Sequence, residues 1–122
     1  MEYTSIEQSK KLIELGLNIE TADMIYASYN DVMTGERKYR KWAMELTPMM
    51  KIETERELPC WSLSALLEMM PMVNGREPHL IWNKGNYTCF YYCGHKATNN
   101  SMIETAYNMV VWLIENNLIT EV

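Results

Sequence analysis

The sequence is poor in the features that mark a membrane protein or a familiar enzyme. It has no Gly-rich phosphate-binding loop, no G-x-S-x-G nucleophile motif and no paired-carboxylate signature. Its longest apolar run, residues 109–114, is far shorter than the roughly 20 residues that cross a bilayer as a helix. The N-terminus lacks a basic region followed by an apolar run, so we expect no secretory signal. These absences predict a soluble, cytoplasmic protein with no membrane partner; they leave enzyme activity undecided but favour a non-catalytic role.

Cysteine and histidine are scarce, with three and two residues respectively. An odd cysteine count is unlike that of a small secreted disulfide scaffold, so we expect reduced thiols in a cytosol. Cys89 and Cys93 would lie about 13 Å apart in one straight strand, too far to share a zinc ion. Two other zinc arrangements stay open: Cys93 and His95 with a distant partner, or His79 beside Cys89 across a hairpin. We favour buried thiols and ordinary histidines, and therefore expect no metal ion, no cofactor and no Cys–His nucleophile.

The length and composition fit an ordinary globular protein. A chain of 122 residues with 48% hydrophobic residues matches one domain that spans residues 1–122. Its formal net charge of −5 argues against a general nucleic-acid binder, because phosphate contacts need a basic surface. That argument concerns the whole chain, so a local basic patch stays compatible with it.

The N-terminal segment predicts a helix, a short turn and a strand. The run T-S-I-E places Thr4 and Glu7 at the spacing of a capping box, and Gly16 is a natural left-handed stop. Asn18 can cap a single short turn after that stop. Residues 24–29 are rich in β-branched and aromatic side chains and predict a strand, although a helix through residues 22–27 is an alternative.

The only basic cluster of the chain follows, interleaved with aromatic residues. Its members are Arg37, Lys38, Tyr39, Arg40, Lys41 and Trp42. The spacing of the apolar residues predicts a helix over residues 36–46. One interpretation is a nucleic-acid contact in which cations meet phosphates and rings stack on bases. We favour the other, an amphipathic helix with a solvated basic face, because a charge run usually lies in solvent.

The stretch P-C-W-S-L-S-A-L-L-E-M-M-P predicts a compact helix with both ends encoded. Ser62 is the expected N-cap, with Ser64 as a competing candidate, and Pro71 forbids continuation. One face of this helix is apolar, formed by Leu63, Leu66, Leu67 and Met70. Such a stripe predicts a core-packing element rather than a reactive site.

A β-hairpin near residues 79–93 and a final helix over residues 101–116 complete the prediction. Gly85 suits a type I turn with a bulge between the two hairpin strands. The second strand should present Tyr87, Cys89 and Tyr91 on one face and Thr88, Phe90 and Tyr92 on the other. Ser101 and Glu104 have the spacing of a capping box for the final helix.

Three blocks of the sequence together resemble a known group of proteins. They are T-S-I-E-Q-S-K-K-L-I-E-L-G-L-N-I-E-T-A-D-M-I-Y, L-P-C-W-S-L-S-A-L-L-E-M-M-P and M-V-V-W-L-I-E-N-N-L-I, and they cover roughly half of the chain. The chain resembles small uncharacterised proteins of gut Bacteroidales, often encoded in prophage-like or mobile-element regions. It departs from their usual pattern at Ile19, where proline is common, and at Asn117, where glycine is common. The resemblance implies an α+β fold and a bacterial cytoplasm, and it carries over no catalytic residues.

These observations predict an α+β single domain: a small antiparallel sheet, including the hairpin near 79–93, packed against N-terminal, central and C-terminal helices. We expect a non-catalytic accessory or protein-interaction protein whose partner is a second copy or another protein. The alternative is a small nucleic-acid-binding regulatory factor that uses segment 37–42. The candidate interaction surface comprises Arg37, Lys38, Tyr39, Arg40, Lys41, Trp42, Tyr91, Tyr92 and Trp112.

Overall fold

The computed structural model describes residues 3–47, 51–53, 55–92 and 94–119. Its helices are α1 (Ile6–Glu14), α2 (Leu63–Met69) and α3 (Met102–Glu115), and a 3₁₀ turn covers Ile19–Thr21. Its strands are β1 (Met24–Asn30), β2 (Arg37–Tyr39), β3 (Met44–Glu45), β4 (Glu57–Cys60), β5 (His79–Asn83), β6 (Asn86–Phe90) and β7 (Lys96–Asn99). The α+β class is confirmed, with two small antiparallel sheets where one was expected.

Helix α1 begins one residue later than the predicted capping box. Ser5 is the N-cap: its hydroxyl accepts from the Gln8 N–H, and the Gln8 side chain accepts from the Ser5 N–H. Thr4 is instead buried and bonds elsewhere. The helix ends as predicted at Gly16, which has a φ of 92°. Residue 16 therefore needs glycine, because other side chains are strained in that region.

The first sheet is organised around β1, which pairs antiparallel with β2, β3 and β4. Its N-terminal half pairs with both β3 and β4, so these two strands lie at opposite edges of β1. One face of the sheet packs with α1 through a buried cluster formed by Met24, Tyr26, Leu58 and Cys60. The predicted strand at 24–29 is therefore the centre of this sheet.

The helix predicted over residues 36–46 is wrong. The segment instead runs antiparallel to β1 as two short strands, β2 and β3. Between them the Arg40 N–H donates to the Ala27 carbonyl, and beyond β3 the Leu46 N–H donates to the Asp23 carbonyl. Pairing with β1 satisfies these backbone groups, and tertiary pairing of this kind overrides a weak helical pattern.

The second sheet has the strand order β5-β6-β7. Its inner face contains Leu80, Cys89 and Ala97 in one cross-strand row, and these side chains pack toward α2 and α3. Strand β7 was not predicted, because K-A-T-N is short and has little apolar alternation. The helices thus cover one face of this sheet.

The β5–β6 hairpin is confirmed, but its turn differs from the prediction. Asn83 pairs with Asn86, so the loop contains two residues, Lys84 and Gly85. Their φ values are 50° and 83°. Positive φ at both central positions is the signature of a type I′ turn rather than a type I turn with a bulge.

Helices α2 and α3 begin at the predicted serine caps. The Ser62 hydroxyl accepts from the Ala65 N–H, and the Ser101 hydroxyl accepts from the Glu104 N–H. The second half of the predicted box at Ser101 is absent among the described contacts, since the Glu104 carboxylate accepts instead from Gln8 Nε2 at 2.6 Å. None of the helices in the described ranges is long and apolar enough to cross a membrane.

A network of buried hydrogen bonds joins the two packed regions at Thr4 and Trp61. The Thr4 N–H donates to the Trp61 carbonyl at 2.9 Å, and the Trp61 N–H donates back to Thr4 Oγ1 at 3.0 Å. The Tyr26 hydroxyl donates to the Thr4 carbonyl, which ties β1 to the same point. Trp61 belongs to the larger core beneath the second sheet, while the adjacent Cys60 belongs to the cluster beneath the first. We call this network the Thr4–Trp61 junction.

Candidate interaction surface

The second sheet has an outer face on the side opposite its core. Cross-strand pairs place His79, Phe90 and Lys96 in one row of this face and Ile81, Thr88 and Thr98 in the next. These residues alternate with the inner row that packs toward the helices, because successive side chains of a strand point to opposite faces. We call this surface the outer face.

Three rings form a cluster on the outer face. His79 stacks on Phe90 with ring centroids 5.4 Å apart, and Tyr92 approaches both rings edge-on at 5.0 and 5.3 Å. Tyr92 is 56% exposed and His79 is also exposed. We call this cluster the aromatic triad. Rings that pack on one another while one side faces solvent are typical of protein contact surfaces.

The neighbouring strand β5 adds two more exposed apolar side chains. Ile81 lies on the outer face and is 49% exposed, whereas Trp82 shares the face of Leu80 and is 66% exposed at the end of the strand. The outer-face residues His79, Ile81 and Phe90 are not among those predicted for the candidate surface. Phe90 could have been assigned to this surface from the sequence, because it lies two residues before Tyr92 and alternate residues of a strand share a face. His79 could not, because its position depends on how β5 pairs with β6, which is a tertiary property.

Tyr91 does not belong to the predicted surface. Its side chain is only 3% exposed and its hydroxyl donates to the Pro71 carbonyl at 2.7 Å. Burial raises the pKa of the Tyr91 hydroxyl to about 12. Tyr91 follows the inner parity of Cys89, so its ring fills the core between the sheet and the end of α2.

Trp112 lies apart from the aromatic triad. It is half-buried on α3 and stacks on His95, with ring centroids 4.3 Å apart and planes 4° from parallel. The stack holds the segment before β7 against α3. The structure therefore does not bring Trp112 and Tyr92 into one ring cluster, although both were predicted to belong to one interaction surface.

The basic segment lies at an edge of the first sheet. Tyr39 packs against the cluster beneath that sheet, so its ring is not free to stack on a base. Lys38 forms an ion pair with Asp31 at 2.8 Å, and this hydrogen bond lowers the pKa of the Asp31 carboxyl. Trp42, in contrast, is 70% exposed, with the Lys41 ammonium 5.5 Å from its ring centroid.

Arg40 completes the exposed part of this segment. Its guanidinium lies 5.1 Å from the ring centroid of Tyr29, in a cation–π contact. Lys10 makes a similar contact with Tyr39 at 5.6 Å, and Arg37 is exposed. The predicted basic cluster thus divides into residues engaged with neighbouring groups and a smaller exposed set.

The thiols of Cys60 and Cys89 are placed for packing rather than reaction. Both side chains are fully buried, and burial raises the pKa of Cys60 to about 12 and that of Cys89 to about 11. The Cys89 thiol contacts the Met70 sulfur at 3.7 Å. A nucleophilic thiol needs the opposite shift, toward a lower pKa.

The zinc arrangements considered from sequence gain no support from the geometry. His79 pairs with Phe90, so it lies on the outer face, whereas Cys89 points into the core. Within the described ranges, no three His, Cys, Asp or Glu side chains are grouped closely enough to hold a metal ion. The arrangement that uses Cys93 lies outside the described residues.

A cavity of about 700 Å³ opens beside the 3₁₀ turn. Its described lining is Ile19, Glu20, Ala22, Asp23, Leu46, Thr47, Lys51 and Ile52. This lining includes no cysteine or histidine. The Asp23 carboxylate is already engaged, since it accepts from the N–H and the hydroxyl of Ser62. The described lining therefore contains no cysteine–histidine pair, and one of its two carboxylates is held by Ser62.

Comparison with family models, curated proteins and solved structures finds no match to this chain. The resemblance to small Bacteroidales proteins therefore stays a prediction. Its three sequence blocks correspond to α1 and the start of β1, to the junction of β4 and α2, and to the second half of α3. These are core-forming elements, and the outer face lies outside all three blocks.

The buried thiols predict a loss of stability at alkaline pH. In the unfolded chain thiols titrate near 9.0, whereas in the folded chain the pKa values are about 12 for Cys60 and about 11 for Cys89. Only the unfolded state loses these protons above pH 9, so stability is complete below that pH and falls as the pH rises toward the folded values. We expect the urea midpoint to drop between about pH 8 and pH 10.

A double variant separates the thiols from other groups. Cys60→Ala with Cys89→Ala should be less stable at every pH but should show a smaller drop over the same interval. The interval ends at pH 10, the ordinary pKa of tyrosine. Burial raises the folded pKa of Tyr26 and Tyr91 to about 12, so their ionisation in the unfolded chain lowers stability mainly above pH 10, in the wild type and the double variant alike. An equal drop in the wild type and the double variant would contradict the prediction.

Proposed function

We propose that this chain is a non-catalytic protein-interaction protein that binds its partner through the outer face. The observation that supports this proposal is the aromatic triad: three mutually packed rings on a sheet face over which no described helix or strand packs. Aromatic side chains dominate the energetics of protein contacts, because they bury large area at a low cost in side-chain entropy.

The surroundings of the triad also suit a protein partner. Thr88 and Thr98 hydrogen-bond to each other at 3.0 Å, and Lys96 ends the row that begins at His79. An apolar centre with polar groups around it is the usual anatomy of a protein–protein interface. The buried thiols of Cys60 and Cys89, whose pKa values burial raises, are not placed for nucleophilic chemistry.

The setting of this function is also a proposal. The resemblance to Bacteroidales proteins suggests a bacterial cytoplasm and an accessory role in a prophage-like or mobile element. The free thiols of Cys60 and Cys89 agree with a reducing compartment. A conserved neighbouring gene of known process would test that setting, and consistently unrelated neighbours would count against it.

Site-specific photo-crosslinking tests the proposed contact surface. A photoreactive phenylalanine at Tyr92 should give a discrete covalent adduct with a second protein when the chain is expressed in its native host. The same amino acid at Asn108, which is exposed on α3, is the matched control and should give none. Adducts at both positions, or at Asn108 alone, would contradict the outer face as the contact surface. The absence of an adduct at Tyr92 would overturn the proposal.

A second candidate is single-strand nucleic-acid binding by the exposed part of the basic segment. The observation that favours it is the side-by-side exposure of Trp42 and its neighbouring cations Arg40 and Lys41. An exposed ring offers a stacking surface for a base, and the cations can contact phosphates. The packing of the half-buried Tyr39 ring, the Lys38–Asp31 ion pair and the net charge of −5 weaken this candidate.

Salt-dependent binding decides this second candidate. If it holds, labelled single-stranded DNA binds at low salt, and Arg40→Gln with Lys41→Gln reduces the slope of log K against log salt by about 1.4, or about 0.7 per lost phosphate contact. Lys96→Gln, an exposed cation on the other sheet, should change neither quantity. Absence of binding at low salt, or equal binding by the double variant, would remove this candidate.

A further inference from the structure

The edges of the two sheets differ in how they are guarded against pairing with another chain. The edge formed by β2 and β3 bears four neighbouring cations, Arg37, Lys38, Arg40 and Lys41. Strand β4 contains Pro59, and α1 and the bridge between Tyr3 and Ser62 lie beside it. Strand β7 bears Lys96. Charges, prolines and covering elements are the devices by which proteins prevent edge pairing.

Among the described residues, strand β5 shows none of these devices. Its sequence H-L-I-W-N contains no lysine, arginine, aspartate, glutamate or proline, and all of its side chains except Leu80 are exposed. Asn83 and Asn86 flank the two-residue turn and therefore form a hydrogen-bonded pair. From there along the strands, hydrogen-bonded and non-hydrogen-bonded pairs alternate. Leu80 and Trp82 therefore direct their N–H and C=O groups to the free edge. No hydrogen bond of the described turns or side chains reaches these groups.

We propose that a second copy of this chain pairs antiparallel with β5 across a two-fold axis at Ile81. In this register Leu80 lies opposite Trp82 of the second copy. The two-fold axis also places Trp82 opposite Leu80 of the second copy. Both residues direct their backbone groups outward, so each pair exchanges two hydrogen bonds. The axis passes between the two Ile81 residues, which form a non-hydrogen-bonded pair with close side chains.

The side chains of β5 and its flanks suit this register. Ile81 is half-exposed on the outer face and would meet its symmetry mate there. The exposed ring of Trp82 would pack beside Leu80 of the second copy. Beyond the strand, the turn residue Lys84 would lie near the segment of the second copy that precedes β5 and carries Glu77, and both charged side chains are exposed. This contact places opposite charges together twice, which partly offsets the repulsion between two chains of net charge −5.

The pairing would join two outer faces into one continuous six-stranded surface that presents two aromatic triads. This dimer rests on the proposed function: a second copy binds the edge of the sheet, and the doubled outer face is then offered to the other partner protein. The contact involves five residues on each side, fewer than the 20–30 residues a side of a standard interface. We therefore infer a dimer that forms reversibly as concentration rises.

Sedimentation equilibrium of the full chain tests the dimer. The average mass should rise from that of one chain toward that of two with concentration, and Ile81→Lys should stay at the mass of one chain. Thr98→Lys adds the same charge to the outer face on β7, away from the proposed axis, and should dimerise like the wild type. Circular dichroism confirms that each variant is folded. A monomer at every concentration, or a dimer that Ile81→Lys leaves intact, would overturn the proposal.

Disulfide trapping tests the register independently of these variants. In a Cys93→Ser background, Ile81→Cys should form a covalent dimer under mild oxidation, because the two Cα atoms at the axis lie within the range of about 4.4–6.8 Å that a disulfide spans. Asn83→Cys should not, since its symmetry mate lies four residue steps, or about 13 Å, away. Mixing Asn83→Cys with His79→Cys should restore a cross-link. Trapping at Asn83 alone would contradict the register.

The edge pairing and the proposed function fail separately. A strictly monomeric chain that still forms the Tyr92 adduct would reject the dimer and retain the outer face as a contact surface. A dimer without the Tyr92 adduct would retain the edge pairing and reject the heterologous partner. In a third outcome the chain stays monomeric, and its Leu80 and Trp82 amides are protected from hydrogen exchange only when an unrelated extended peptide is added. That result would show that the edge of β5 pairs with a different chain, and it would overturn self-pairing.

Discussion

The buried hydroxyl of Thr4 is the point on which the packing of the chain depends. It accepts from the Trp61 N–H, and it donates to Ser9 Oγ, because the Ser9 proton is already given to the Ser5 carbonyl. These bonds fix the start of α1 against the end of β4, where α2 begins. The two buried clusters meet at this point, so one satisfied polar group aligns both sheets. A buried donor without its partner would cost about 1–3 kcal/mol.

This arrangement determines which surfaces of the chain are left for contact. α1 covers one face of the first sheet, and α2 and α3 cover the inner face of the second. Helices occupy only these positions in the described part of the chain, so the outer face and the edge of β5 stay in solvent. The exposed rings of the outer face and the neutral edge strand lie next to each other, which makes the second sheet a contact element. The first sheet presents a charged edge instead, which disfavours such pairing.

Local signals in the sequence identified the elements whose causes are local. The serines at positions 62 and 101 cap helices because the hydroxyl and the amide that it caps lie three residues apart. The N-terminal cap was misplaced by one residue, since T-S offers two hydroxyls and the partner of Thr4 is 57 residues away. Segment 36–46 was wrongly predicted as a helix, because the spacing of its apolar residues is also compatible with two short strands that pair with β1. The aromatic triad depends on the β5–β6 register, which parity alone does not determine.

The central claim is that the Thr4–Trp61 junction holds the core and leaves the second sheet free for contact. The most direct test is the free energy of unfolding of Thr4→Val, which keeps the side-chain shape but removes the hydroxyl. We predict a loss of about 1–3 kcal/mol in urea denaturation, because the Trp61 N–H loses its acceptor. Thr47→Val, at an exposed position, should change stability by less than about 0.5 kcal/mol. Equal stability of the wild type and Thr4→Val would contradict the account.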